Sequence, residues 1–151
     1  MPETYPRTKI LGLNLHPVGV AQVHAFIEET VRSGKKASIL NLNIHCVCLA
    51  QREKWLADFI NQAALVFCDG DGVRWGLKIL GRPVPPKITY DRWIWQLAAF
   101  AQEKNLSLYL LGAKPGVALL AAARLKDRYP KLAIVGTHHG YFDHGGLEKN
   151  P

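Results

Sequence analysis

The chain has 151 residues, an ordinary apolar share of 48% and a formal net charge of +7. This length suits one domain with its own core, and no apolar run approaches the roughly 20 residues that span a bilayer. The basic residues are dispersed and no nucleic-acid-binding module accompanies them, so we expect no nucleic-acid partner. Such charges suit a solvated surface, an anionic membrane surface or a bound diphosphate.

The N-terminal part predicts a leader, a strand and a helix. Residues 1–8 form a loose leader without the apolar segment of a signal peptide, which predicts a cytoplasmic protein. From Lys9 to His16, apolar and polar residues alternate as in a half-buried strand. A helical apolar spacing then runs from Val20 to Val31, and Ser33-Gly34 ends that helix.

The next strand, Ala37 to Leu42, ends in the sequence Asn41-Leu42-Asn43. One helix is predicted to follow, with inward residues between Cys46 and Ile60. Two interpretations of Asn43 stand side by side. It caps this helix, or its amide binds a sugar or phosphate oxygen at the carboxyl end of the strand.

The stretch from Leu65 to Val73 predicts a buried strand, a tight turn of two acid–glycine pairs and the start of a helix. Open α/β sheets bind ligands at the carboxyl ends of their strands, which makes Asp69 the first catalytic candidate. Gly70 and Gly72 allow backbone to approach a bound group closely. The alternative is that Asp69 or Asp71 caps the helix.

Further along, a proline-rich surface loop at Gly81–Pro86 leads into an aromatic helix that ends near Asn105. Trp93 and Trp95 cannot share one face of this helix because they are two residues apart. We therefore expect one of them in the core and the other at a hydrogen-bond acceptor or a membrane surface.

Two glycine-containing loops follow the last two strands. The strand Leu106–Leu111 runs through Gly112–Gly116 into the helix Val117–Tyr129. A glycine loop that contains Lys114 suits a nucleotide diphosphate, although its spacing matches neither the dinucleotide fingerprint nor a P-loop. The strand Leu132–Val135 runs into Gly136–Tyr141, where paired histidines with only Asp143 nearby indicate a polar loop rather than a metal site.

This alternation predicts five strands and five helices, in a mostly parallel α/β sheet with helices on both faces. Residues 9–143 form the predicted core and 144–151 a terminal loop. Cys46, Cys48 and Cys68 lie in apolar surroundings and match no zinc spacing, which predicts reduced core thiols.

Four short motifs occur in a fixed order: Asn41-Leu42-Asn43, Asp69-Gly70-Asp71-Gly72-Val73, Leu110-Leu111-Gly112-Ala113-Lys114-Pro115-Gly116, and Val135-Gly136 with Gly140-Tyr141-Phe142. They are similar to Thr/Asn-x-Asn, Asp-Gly-x-Gly-Val, Leu-Leu-Gly-Gly-x-Pro-Gly and Val-Gly-x-x-x-Gly-Tyr-Phe of one family. From about Lys9 to Phe142, the chain thus resembles the WecG/TagA/CpsF glycosyltransferases (glycosyltransferase family 26).

The resemblance implies a Rossmann-like fold and a cytoplasmic enzyme, peripheral at the inner face of the plasma membrane. Such enzymes transfer a sugar from a UDP-sugar, typically UDP-N-acetylmannosamine or its uronic acid, to an undecaprenyl-diphosphate-linked acceptor. They make teichoic-acid linkage units, enterobacterial common antigen or exopolysaccharide. The reaction is inverting and metal-independent, and it needs no cofactor because the UDP-sugar is a substrate.

By the same resemblance, Asp69 matches the general base, and Asn41 and Asn43 match residues that line the sugar pocket. The loop Gly112–Gly116 falls in the nucleotide-binding part. The full set of expected substrate-binding residues is Asn41, Asn43, Gly70, Gly72, Lys87, Gly112, Lys114, Gly116, Gly136 and Tyr141.

Two departures from the family pattern bear on function. Lys87 stands where an arginine is expected near the diphosphate, which keeps the charge but loses the bidentate fork. The family also continues with an arginine-rich C-terminal appendage that meets the membrane, and this chain lacks it. We therefore expect a truncated catalytic domain, with membrane contact mainly through the missing segment. The resemblance also suggests self-association, which apolar surface exposed by truncation would favour. The alternative is a non-catalytic nucleotide-sugar-binding or interaction module.

Overall fold

The structure of the protein is a computed structural model that describes residues 5–141. These residues contain six strands and six helices, interspersed along the chain, which confirms the α/β class. The chain divides into two compact units, Met1–Trp93 and Ile94–Pro151. Residues 1–4 of the predicted leader lie outside the described residues, and so does the whole predicted terminal loop, 144–151. None of the described helices has the length and apolarity needed to cross a membrane.

The first unit contains a hairpin and a parallel strand pair with their helices. Strands β1 (Thr8–Ile10) and β2 (Leu13–Leu15) are antiparallel, and β3 (Ile39–Leu42) and β4 (Leu65–Cys68) are parallel. The helices are α1 (Val20–Arg32), α2 (Ile44–Ala50), α3 (Lys54–Gln62), α4 (Asp71–Ile79) and the first turn of α5 (Tyr90–Glu103).

The segment Lys9–His16 is a hairpin, so the prediction of one strand is wrong. Leu11 and Gly12 have φ of 46° and 83°. Positive φ at both central residues is the conformation of a type I′ turn, which favours Asn-Gly. A leucine in the first of these positions does not indicate a turn, and the alternation of apolar and polar residues continues through it.

The helix predicted after Asn43 is two helices, α2 and α3. The backbone N–H groups of Arg52 and Glu53 both donate to the carbonyl of Leu49, which ends α2 and turns the chain. This turn contains neither glycine nor proline, and the sequence therefore showed no break.

The three cysteines are free thiols in different surroundings. Cys68 is buried, and burial raises its pKa to about 11. Cys48 is exposed on α2, so the prediction of a core thiol is wrong for this residue.

The core of the first unit surrounds β4, which is buried throughout. His16 joins the hairpin to this strand, because its backbone N–H donates to Val66 O at 2.7 Å and its Nδ1 accepts from Val66 N at 2.9 Å. Burial, with the charge of Arg7, lowers the pKa of His16, which favours the neutral ring that this contact requires. The core includes the fully buried side chains of Leu13, Leu15, Leu42, Val66, Val73 and Leu77.

The second unit contains the parallel strands β5 (Ser107–Leu111) and β6 (Ala133–His138), connected by α6 (Val117–Arg128). Its core includes Ala98, Ala101, Leu125 and Leu132. In the described residues, the strands thus pair as three two-stranded sheets. Each of these is smaller than the single sheet that the sequence predicted. That the helices cover both faces of one sheet stays a prediction.

Candidate active site

Asp69 lies at the carboxyl end of β4, where the sequence placed it. Its backbone N–H donates to Leu42 O at 3.0 Å, which continues the pairing of β4 with β3. Its side chain is only partly buried, so substrate can approach the carboxylate. Gly70 occupies the N-cap of α4 and no side chain caps this helix, so the capping interpretation of Asp69 and Asp71 is wrong.

Asn41, near the end of the neighbouring strand, holds the carboxylate of Asp69. Its Nδ2 donates to Asp69 Oδ2 at 2.8 Å. The two residues are 28 positions apart, and parallel pairing brings them together because it aligns the carboxyl ends of β3 and β4. No hydrogen bond from the described residues reaches Oδ1 of Asp69, which leaves this oxygen available to an incoming hydroxyl.

Tyr90 is a member of this cluster that the sequence analysis did not identify. Its hydroxyl donates to Asn41 Oδ1 at 3.4 Å, and its ring packs edge-on against Phe67 with centroids 5.8 Å apart. Burial, followed by the charges of Asp69 and Cys46, raises the pKa of Tyr90 and keeps the phenol a hydrogen-bond donor. A long contact of this kind orients the Asn41 amide weakly, with its nitrogen toward the carboxylate.

Lys87 reaches the turn from the proline-rich loop. Ile88 N donates to Cys68 O at 3.0 Å, which fixes the loop beside the end of β4. Lys87 Nζ and Arg74 Nη1 then form ion pairs with Asp71 at 2.7 Å and 3.0 Å. These hydrogen bonds, that of Lys87 first, lower the pKa of Asp71. A cation thus lies beside the turn, and its contact with a diphosphate stays a prediction.

The two glycines of the turn have different structural roles. Gly70 has φ 91° and ψ 161°, a region open almost only to glycine. A Cβ at Gly72 would lie 2.9 Å from Cβ of Ile44, so this glycine lets α4 start against the first residue of α2. Gly72 therefore permits close packing of the chain on itself, and contact of either glycine with substrate stays a prediction.

Asn43 caps α2. Its Oδ1 accepts from Cys46 N at 2.9 Å, as one of the two interpretations predicted. The cap uses the oxygen alone, and the amide Nδ2 retains its donors. Contact of this nitrogen with a sugar stays a prediction.

In the second unit, hydrogen bonds join the loops that follow β5 and β6. Gly112 N donates to His138 O at 3.0 Å, and Gly140 N donates to Ala113 O at 2.9 Å. A Cβ at Gly140 would lie 3.1 Å from Gly112 Cα, so the close approach of these loops depends on glycine at position 140. Lys114 is exposed in the first loop and Gly116 is the N-cap of α6.

The positions of Gly136 and Tyr141 give less support for the predicted role in substrate binding than those of the loop residues. Strand β6 extends to His138, so Gly136 lies within the strand rather than in the loop. A Cβ there would overlap Cε2 of Tyr109, which shows that this glycine makes room for the tyrosine ring. Tyr141 is exposed, and its N–H donates to His139 Nδ1 at 3.2 Å.

The predicted site residues therefore fall into two groups, one in each unit. Within residues 5–141, no group of three or more His, Cys, Asp or Glu side chains could hold a metal ion. Asp143, which the sequence analysis considered with the paired histidines, lies outside the described residues.

Comparison with known proteins identifies the family. Residues 8–150 match the glycosyl transferase WecG/TagA/CpsF family. The chain is 30% identical over 105 residues to the N-acetylglucosaminyldiphosphoundecaprenol N-acetyl-beta-D-mannosaminyltransferases of Staphylococcus aureus strains NCTC 8325 / PS 47, COL and MSSA476. The match covers 70% of this chain and 41% of each relative, so the chain spans less than half the length of these relatives. The chain belongs to the WecG/TagA/CpsF family of glycosyltransferases.

Proposed function

We propose that the protein transfers an N-acetylmannosamine-type sugar from a UDP-sugar to an undecaprenyl-diphosphate-linked N-acetylglucosamine, with Asp69 as general base. The observation that carries this proposal is the hydrogen bond from Asn41 to Asp69 at the joined ends of β3 and β4. Family membership supports the reaction class, and the names of the S. aureus relatives support the sugar and the acceptor.

In this reaction, Oδ1 of Asp69 accepts the proton of the attacking acceptor hydroxyl, while Asn41 holds Oδ2 in place. The hydroxyl oxygen bonds to the anomeric carbon as the bond from that carbon to the UDP oxygen breaks. UDP leaves with the electron pair. Attack opposite to the leaving group inverts the anomeric carbon, so an α-linked donor gives the β linkage that the relatives' names contain.

The departing diphosphate requires positive charge and hydrogen-bond donors. We assign nucleotide binding to the loop Gly112–Gly116, where Lys114 is exposed and α6 presents its N-terminus after Gly116. Lys87 is a second cation, and its ammonium retains donors beyond the one that Asp71 uses. The proposal includes no cofactor, and it places the protein at the cytoplasmic face of the plasma membrane, where its acceptor lies.

The test combines product analysis with binding. The chain, alone and with the C-terminal segment of the family pattern restored, is incubated with UDP-N-acetylmannosamine and polyprenyl-diphosphate-linked N-acetylglucosamine, and UDP binding is measured separately by calorimetry. We expect a disaccharide product whose new bond is β by NMR. UDP binding without product would overturn the transfer reaction and support a nucleotide-sugar-binding module. Absence of both product and UDP binding would overturn both functions.

A further inference from the structure

Helix α4 and the loop after it present an exposed apolar surface beside the Asp69 turn. We call this surface, formed by Trp75, Lys78, Ile79, Leu80, Arg82 and Val84, the α4 face. Trp75 is 62% exposed and Ile79 is 82% exposed, and their separation of four residues places them on one side of the helix. The opposite side is anchored in the core by Val73 and Leu77, both fully buried. The outward position of Trp75 and Ile79 is therefore fixed by the packing of the helix.

The α4 face is also strongly cationic. Residues 71–87 contain four basic side chains and a single carboxylate, Asp71. Asp71 is already paired with Arg74 and Lys87. No described carboxylate pairs with Lys78 or Arg82, and Nζ of Lys78 lies 5.6 Å above the ring centroid of Trp75. An open groove of about 400 Å³ is lined by Asp71, Arg74, Trp75, Lys78 and Val84.

Exposed apolar side chains beside unpaired positive charges indicate the kind of partner that would bind the α4 face. Tryptophan has an apolar body with one polar N–H and concentrates at the interface between bilayer and water. Lysine and arginine beside such residues attract anionic lipid headgroups. A protein partner would also cover apolar side chains, but a surface whose unpaired charges are all positive is complementary to a negatively charged one.

We propose that the α4 face docks the protein on an anionic lipid bilayer, with Trp75 and Ile79 in the headgroup layer and Lys78 and Arg82 at lipid phosphates. This inference deepens the proposed function and rests on it in one respect. Docking through α4 would bring Asp69, two residues before the helix begins, close to an acceptor that is held in the same membrane. Membrane contact, which the sequence analysis expected mainly through the missing C-terminal segment, would thus also involve the α4 face.

The test measures co-sedimentation of the 151-residue chain with vesicles of phosphatidylcholine alone or of phosphatidylcholine with phosphatidylglycerol. We expect binding to the phosphatidylglycerol vesicles that weakens as salt is raised. Trp75→Ala should reduce this affinity at least about tenfold, because it removes the side chain that enters the interface. The double variant K78Q/R82Q should abolish the preference for phosphatidylglycerol.

Trp55→Ala is the matched control. Trp55 is 66% exposed on α3, but its Nε1 donates to the carboxylate of Glu53 at 3.2 Å, which places an acid beside the ring. This variant should bind vesicles as the unchanged chain does, and circular dichroism should show that both tryptophan variants are folded.

Two results would overturn the inference. One is equal affinity of the unchanged chain and Trp75→Ala for the anionic vesicles. The other is a self-association in sedimentation experiments that Trp75→Ala abolishes without changing vesicle affinity, which would assign the α4 face to a second copy of the chain. Because the vesicles contain neither sugar donor nor acceptor, failure of docking and failure of glycosyl transfer are distinguished.

Discussion

Replacement of Asp69 by asparagine is expected to lower kcat for glycosyl transfer by about 10²–10⁴-fold, the usual contribution of a general base. The amide has the size of the carboxylate, and its oxygen can still accept the hydrogen bond from Asn41 that the structure shows at 2.8 Å. It cannot take the proton of the acceptor hydroxyl. We therefore expect a loss in turnover with little change in the KM of the UDP-sugar, measured by steady-state kinetics.

Asp58→Asn provides the control for this experiment. Asp58 lies on α3, where its carboxylate pairs with Lys54 four residues earlier. Its neutralisation changes the net charge by the same amount and should leave turnover unchanged. Near-normal turnover of Asp69→Asn would show that another group removes the proton.

Gly70→Ala should destabilise the protein by about 1–3 kcal/mol, the cost of a side chain in the region of φ and ψ that Gly70 occupies. No heavy atom lies within 4 Å of the position that the new Cβ would take, so the penalty comes from the backbone alone. Because Gly70 directly follows Asp69, relief of this strain would also move the carboxylate away from Asn41. Urea unfolding measures the loss of stability.

Gly19→Ala is a suitable comparison. Gly19 is the N-cap of α1 with φ −100°, a value that alanine adopts readily. The atom nearest to the new Cβ, at 3.2 Å, is the flexible end of the Gln22 side chain. The change should cost less than Gly70→Ala. Equal stability of Gly70→Ala and the unchanged chain would mean that the turn does not require glycine.

The central part of the site was predictable because its signals are local. A short apolar run followed by Asp69-Gly70 marks the end of a buried strand, and the Asn41 motif marks the end of the strand before it. In a parallel pair these ends share an edge, so the proximity of Asn41 and Asp69 followed from the class of fold.

Other features of the fold and site were not predictable, because they depend on tertiary contacts or on residues that are atypical of the local structure they adopt. Tyr90 reaches Asn41 from a segment that Ile88 joins to the end of β4 by a hydrogen bond, a pairing that no periodicity reveals. Gly136 was assigned to a loop, but β6 continues through it because it fits under the ring of Tyr109. Leu11 concealed the hairpin turn because an apolar side chain at this position continues the alternation of a strand, although its φ is 46°.

The most direct test is a crystal structure of the protein with a lipid-diphosphate N-acetylglucosamine analogue bound. The distance to measure joins the attacking hydroxyl oxygen of the acceptor to the carboxylate of Asp69. We expect a hydrogen bond of about 2.6–3.2 Å to Oδ1, with the Asn41 amide still on Oδ2. An acceptor hydroxyl that instead contacts a different base, with the Asp69 carboxylate beyond reach even through one water, would contradict the assignment of Asp69.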